Sequence, residues 1–108
     1  MACALDVTGN EPTAKKEATV TLKVIGANTT LRQASVNQTN VSANIDATRK
    51  SVFFDLADGR NKVVLTFFPP PAPETLDIVE DCGDGTTQPV LSFGISIHAE
   101  ATFDIIAS

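Results

Sequence analysis

From Leu91 onward every second residue is apolar: Leu91, Phe93, Ile95, Ile97, Ala99, Ala101, Phe103, Ile105 and Ala107. The interleaved set is Ser92, Gly94, Ser96, His98, Glu100, Thr102, Asp104 and Ile106. A period of two held over 17 residues predicts β-strand, because successive side chains of a strand point to opposite faces. Fully extended, such a run spans about 55 Å at about 3.3 Å per residue. A domain of this length has a radius of gyration of only about 13 Å. The run therefore bends, with Gly94 or the small Ala99 and Ala101 at the corner, so that it serves two sheets. The alternative is that part of it leaves the body and pairs with another subunit.

The same alternation recurs upstream. Residues 18–24 place Val20, Leu22 and Val24 on one face and Thr19, Thr21 and Lys23 on the other, the mark of a half-buried strand. Residues 51–56 repeat it with Val52, Phe54 and Leu56, and residues 62–68 are rich in β-branched and aromatic side chains. Asp58-Gly59 lies between these two runs and predicts a hairpin joining them. Over 31–50 the pattern is weaker. Val41, Ala43, Ile45 and Ala47 alternate with polar neighbours and suggest a strand, while Ser42 is placed to cap a short helix ending near Lys50.

Pro69-Pro70-Pro71-Ala72-Pro73 removes almost every amide donor from its stretch and forms a stiff connector, read as a crossover between sheets. A proline-recognition ligand is its functional alternative. Leu76 and Ile78 mark one more short strand before the acidic, glycine-rich stretch Glu80–Gly85. Residues 1–17 lack periodicity and read as an irregular arm, with one helical turn after Pro12. The whole predicts a single all-β domain over 18–108. Its architecture is an antiparallel β-sandwich, Greek-key or jelly-roll-like, of about six to eight strands with a long C-terminal strand.

Composition narrows the function. Apolar residues make up 43% of the 108 and charged residues 19%, which suits a packed core. No apolar run approaches the length of a membrane-spanning helix. The net charge of −5 argues against nucleic acid, whose backbone demands clustered Lys and Arg. Six Phe but no Tyr or Trp argue against the flat aromatic platforms of typical sugar-binding modules. The absence of Trp also departs from the Cys–Trp–Cys pattern of immunoglobulin domains.

Catalytic chemistry is sparse. His98, flanked at two-residue spacing by Ser96 and Glu100, is the single histidine. No nucleophile elbow and no phosphate-binding glycine motif occurs. No catalytic residue and no cofactor is assigned. Glu80, Asp81 and Asp84 are the candidate metal ligands, since three carboxylates among flexible glycines suit calcium chemically, although their spacing is not that of an EF-hand. Cys3 and Cys82 are the candidate disulfide partners, within one chain or, through Cys3, with a neighbouring subunit. Three sequons, at Asn28, Asn37 and Asn40, are relevant only to an exported protein.

Met1–Asp6 shows no basic segment followed by an apolar stretch. That reading favours a protein made and kept in the cytosol, or released from it inside an assembled particle, over export of a trimmed form. The features together point first to a non-enzymatic assembly protein, a virion component or fibre-type subunit. It would be a homo-oligomer joined through strand edges and the terminal arm. An exported binding or adhesion module linked to calcium or glycan is the alternative. A small acidic inhibitor steered by its charge is a further one.

Overall fold

The computed structural model describes residues 3–97 and 99–108. In these, the strands are β1 (Thr13–Ala14), β2 (Thr19–Ile25), β3 (Thr30–Val36), β4 (Thr39–Asn40), β5 (Ser51–Asp55), β6 (Gly59–Phe68), β7 (Glu74–Asp81), β8 (Thr87–Ile95) and β9 (Glu100–Ala107). They form a five-stranded sheet in the order β1-β9-β6-β3-β4 and a four-stranded sheet in the order β5-β2-β7-β8. Every pairing is antiparallel except that of β1 with β9. The two sheets make a β-sandwich. Its core is filled from both by Leu22, Leu31, Leu65, Phe67, Leu76, Ile78 and Ile105, all essentially inaccessible to water. Burial of this apolar surface is what holds the sheets face to face.

The period-two segments behave as their pattern demands. Val20, Leu22 and Val24 of β2 are buried, as are Val52, Phe54 and Leu56 in and just after β5. The proline-rich connector carries the chain from β6 in one sheet to β7 in the other. The C-terminal alternation is divided between β8 and β9, which lie in different sheets. Odd-numbered side chains face inward in both: Ile95, Ala101, Ile105 and Ala107 are buried, and Leu91, Phe93 and Phe103 pack partly against the core. The corner falls just beyond Gly94, around Ser96 and Ile97, and there the pattern fails, with Ile97 82% exposed. The particle measures 39 × 28 × 28 Å, too short for the undivided strand.

Three expectations are corrected. Asp58-Gly59 does not close a hairpin between β5 and β6. β5 pairs with β2, and β6 lies between β3 and β9 in the opposite sheet. Gly59 does take the left-handed backbone expected of a turn, at φ 96°. The reversal, however, is steered across the sandwich by Asn61. Its buried amide accepts from Ala57 N and donates to the carbonyls of Ala57, Gly59 and Ile105. A turn motif specifies a reversal, and tertiary contacts decide which sheet receives the returning strand.

Residues 41–47 are neither strand nor capped α-helix. They hold one 3₁₀ turn at Ser42–Asn44 and a single bridge from Ile45 to Val52. Ser42 accepts a hydrogen bond from Ala34 N instead of capping its own turn. The strand of this region is β3, which the alternation concealed because its register shifts between Leu31 and Gln33. A bulge of this kind interrupts period two, leaving Arg32 and Gln33 both exposed. After Pro12 the chain forms β1 rather than a helical turn. The preceding residues cross the flank of the sandwich, with Leu5 buried in the core.

Candidate functional site

An unpaired sheet edge offers backbone N–H and C=O groups to any neighbouring strand. Three of the four edges here are occupied wholly or in part by their own chain. The outer side of β3 is covered by β4, by Val41 N donating to Ala34 O, and by Arg49, whose guanidinium donates to the carbonyls of Leu31 and Arg32, each at 2.6 Å. β5 receives Asp46 N on Ser51 O at 3.0 Å and the Asn44 side-chain amide on Phe53 O. The last residues of β9 are covered by β1, with Ile106 N donating to Pro12 O and Ser108 N to Ala14 O. Among the described residues, no hydrogen bond reaches the outer edge of β8.

Its chemistry sets β8 apart as well. It is the one strand longer than two residues that carries no charged side chain. Exposed edges are ordinarily protected by just such charges. Pro89 interrupts donation near its start, at the register shift opposite Ile78 and Val79, a position that edge strands and bulges tolerate. Val90–Ile95 beyond it is a six-residue stretch without charge or proline, a composition prone to strand pairing. Beside this edge a groove opens between β8 and β9, floored by Val90, Leu91 and Phe103 and rimmed by Pro12. Arg60 crosses its end, donating to Glu11 at 2.7 Å and Asp104 at 2.8 Å. The signal was present in the sequence as an uncharged stretch, but its position at an edge was not.

A second cluster lies where the N-terminal segment meets the end of β7. Cys3 and Cys82 form a disulfide, with Cα atoms 4.6 Å apart. Glu80, two residues before Cys82, is 1% exposed. Its Oε2 accepts from Ala4 N at 2.7 Å, and its Oε1 accepts from Leu5 N at 3.0 Å and from the Gln88 amide at 2.8 Å. Gln88 donates also to Leu5 O. The N-terminal segment is thus held by one covalent bond and one buried carboxylate.

This arrangement separates the three predicted metal ligands. Glu80 turns inward, whereas Asp81 and Asp84 stay with the exposed turn. Asp81 accepts from Gly83 N, and Asp84 accepts from the hydroxyl and amide of Thr86. Among the described residues, the group of three that converges within metal-binding distance is Cys3, Glu80 and Cys82. His98 lies outside the described residues, and its neighbours Ser96 and Glu100 are exposed. Of the sequon residues, Asn37 spends its amide internally, donating to Asn61 and accepting from Lys62 N. Asn40 accepts from Ser42 N, and Asn28 is exposed at a turn.

The Thr86 hydroxyl, followed by other contacts that include its amide, holds the Asp84 carboxyl down from 3.8 to about 2. A group with a depressed folded pKa stabilises the fold above its unfolded pKa and loses that contribution as pH falls through the folded value. The Asp84 contribution is therefore complete above pH 3.8 and fades toward pH about 2. Melting curves of D84N against the parent should diverge above pH 4 and converge near pH 2 (a constant offset at all pH values would refute this).

No protein family, curated protein or solved structure matches the chain. The functional reading accordingly rests on the geometry.

Proposed function

We propose that this protein is a non-enzymatic assembly module whose copies associate through the open edge of β8. The observation that carries this reading is a long, uncharged edge strand whose outer side, among the described residues, receives no hydrogen bond, while the other three edges are covered wholly or in part. The occupant we assign is a second copy of the same chain. Antiparallel pairing of β8 with its twin is a two-fold arrangement, the symmetry that closed homodimers use most. It would join two four-stranded sheets into one continuous sheet. A chain with net charge −5 repels its own copies, and β8 is the strand where that repulsion is least because it carries no charge. The adjoining floor of Val90, Leu91 and Phe103 supplies apolar surface that pairing would remove from water.

Light scattering on a size-exclusion column tests this across a concentration series. The expected result is a species of twice 11.4 kDa that persists in reductant, since edge pairing needs no disulfide. S92K should return it to monomer. Ser92 lies opposite Asp77 on β7, so a lysine there is accommodated within one subunit but puts a positive charge on the edge strand of each copy that the new pair brings together. A wild-type chain that stays monomeric at high micromolar concentration overturns the proposal.

A second reading is favoured by a shallow depression on the outer face of the five-stranded sheet. It is lined by Gln33, Ser35, Gln38, Asn40 and Thr66, uncharged amides and hydroxyls suited to a neutral polar ligand such as a glycan. Gln38 sits there at φ 68°, a conformation that costs a non-glycine residue about 1 kcal/mol or more. Binding to a glycan array that Q38A abolishes, by a chain that remains monomeric, would favour this reading over assembly.

A further inference from the structure

We propose that the reduced form of this protein binds one zinc ion through Cys3 Sγ, Cys82 Sγ and a carboxylate oxygen of Glu80. These three ligand atoms lie within 4.8 Å of one another. Two thiolates and one carboxylate, with water in the fourth position, form a donor set well suited to tetrahedral zinc. The strands already supply the alignment. Glu80 and Cys82 are separated by two positions and so lie on the same side of the chain, and the N-terminal segment brings Cys3 against them.

The state of Glu80 is the second support. It is 1% exposed, and no Lys or Arg forms a salt bridge with it among the described residues. A buried carboxylate without a cation is uncommon, because burying an isolated charge is costly. Three N–H groups compensate it and also fix its orientation. They leave it unsaturated: Oε1 accepts two hydrogen bonds and Oε2 accepts one, out of about four sites on a carboxylate. Amides that hold a ligand carboxylate in place are the outer-shell support usual at metal centres. Cys3 is only partly buried, which gives an ion and its water a route inward.

The chemistry balances through a named reductant. A thiol or phosphine delivers two electrons, and two protons are taken up, so that the S–S bond becomes two S–H groups and the reductant is oxidised. Zinc then displaces both thiol protons to the buffer and forms two Zn–S bonds. In an oxidising compartment the bond remains and the site is closed. In a reducing one the same residues become a metal centre.

The test uses the full chain, treated with a phosphine reductant under anaerobic conditions, and Co²⁺ as the spectroscopic probe. The expected result is a sulfur-to-cobalt charge-transfer band that saturates at one equivalent, is displaced by Zn²⁺, and is absent before reduction. C3S should abolish the paired-thiolate spectrum. E80Q should weaken binding roughly 10–100-fold while retaining the band. D81N/D84N should bind as the parent does, which separates this site from the acidic turn. A reduced, folded chain that shows no band overturns the proposal, as does an equal zinc response from C3S/C82S. Far-UV circular dichroism covers the case in which reduction unfolds the chain. Stoichiometric zinc must then restore the β spectrum, and failure to do so also overturns the proposal.

Discussion

Replacing Cys3 and Cys82 by alanine is expected to lower the melting temperature by roughly 15–30 °C. The bond closes a loop spanning 79 positions, most of the chain. In the chain-entropy account, a cross-link over such a loop destabilises the unfolded ensemble by about 4 kcal/mol. A domain of this size shifts its melting temperature by about 4–8 °C per kcal/mol. The native state also contributes. The bond holds the segment that puts Leu5 into the core and brings the amides of Ala4 and Leu5 to Glu80. Once that segment detaches, Glu80 is left with the Gln88 amide alone. Thermal melts followed by circular dichroism, with and without a phosphine reductant and in the absence of metal, make the measurement. A shift below about 5 °C would show that the segment stays docked without its covalent anchor. The loss would be of the same order as the whole stability of an ordinary domain, about 5–15 kcal/mol, so buffer free of zinc is essential to it.

Asn61→Ala is the second large effect, expected at about 3–5 kcal/mol. Asn61 has no exposed surface, and its amide joins four segments. It accepts from Ala57 N and from the Asn37 side chain, and it donates to the carbonyls of Ala57, Gly59 and Ile105. Truncation removes five hydrogen bonds at once, each worth about 0.5–1.5 kcal/mol net, and leaves the buried Ile105 carbonyl unpaired at about 1–3 kcal/mol. The network performs the turn that sends the chain from one sheet to the other; the groups of Ala57 and Asn37 lie at exposed residues and turn to water, whereas the Ile105 carbonyl is buried and does not. Urea unfolding should show a lowered midpoint with an unchanged m-value. Asn37→Ala removes one donor to Asn61 and one acceptor of Lys62 N, both at the exposed end of the same network, and should cost only about 1–2 kcal/mol. If N61A lost no more than N37A, the network would not be what sets the crossover.

Asn61 also illustrates what a linear reading misses. In sequence it is one more polar residue beside Asp58-Gly59, indistinguishable from ordinary turn chemistry. Only the approach of Ile105, 44 positions away, converts it into a buried hub. Glu80 is the same case. Grouped by proximity with Asp81 and Asp84, it reads as part of an exposed acidic loop. The pleat of β7 turns it inward, and the N-terminal segment supplies the amides that make burial tolerable. Cys3 and Cys82 were legible in the sequence only as candidate partners, open equally to a bond with a neighbouring subunit or to no bond at all. That the pair is intramolecular, and that Glu80 lies against it, were not.

What the amino-acid sequence determined by itself is local. Alternation of side chains along a strand has no long-range component, so β2, β5, β6 and the odd-numbered inward faces of β8 and β9 follow from period two, and the all-β sandwich follows from their number. The proline-rich crossover follows from the missing amide donors, and the break between β8 and β9 from the size of the particle. What only the tertiary structure decided is non-local. It set which sheet received β6, because turn residues encode reversal and not the identity of a neighbour. It placed β3, whose bulge erased the periodic signal. It left the edge of β8 open, because an edge is defined by which other strands are absent beside it, and no residue of β8 carries that information.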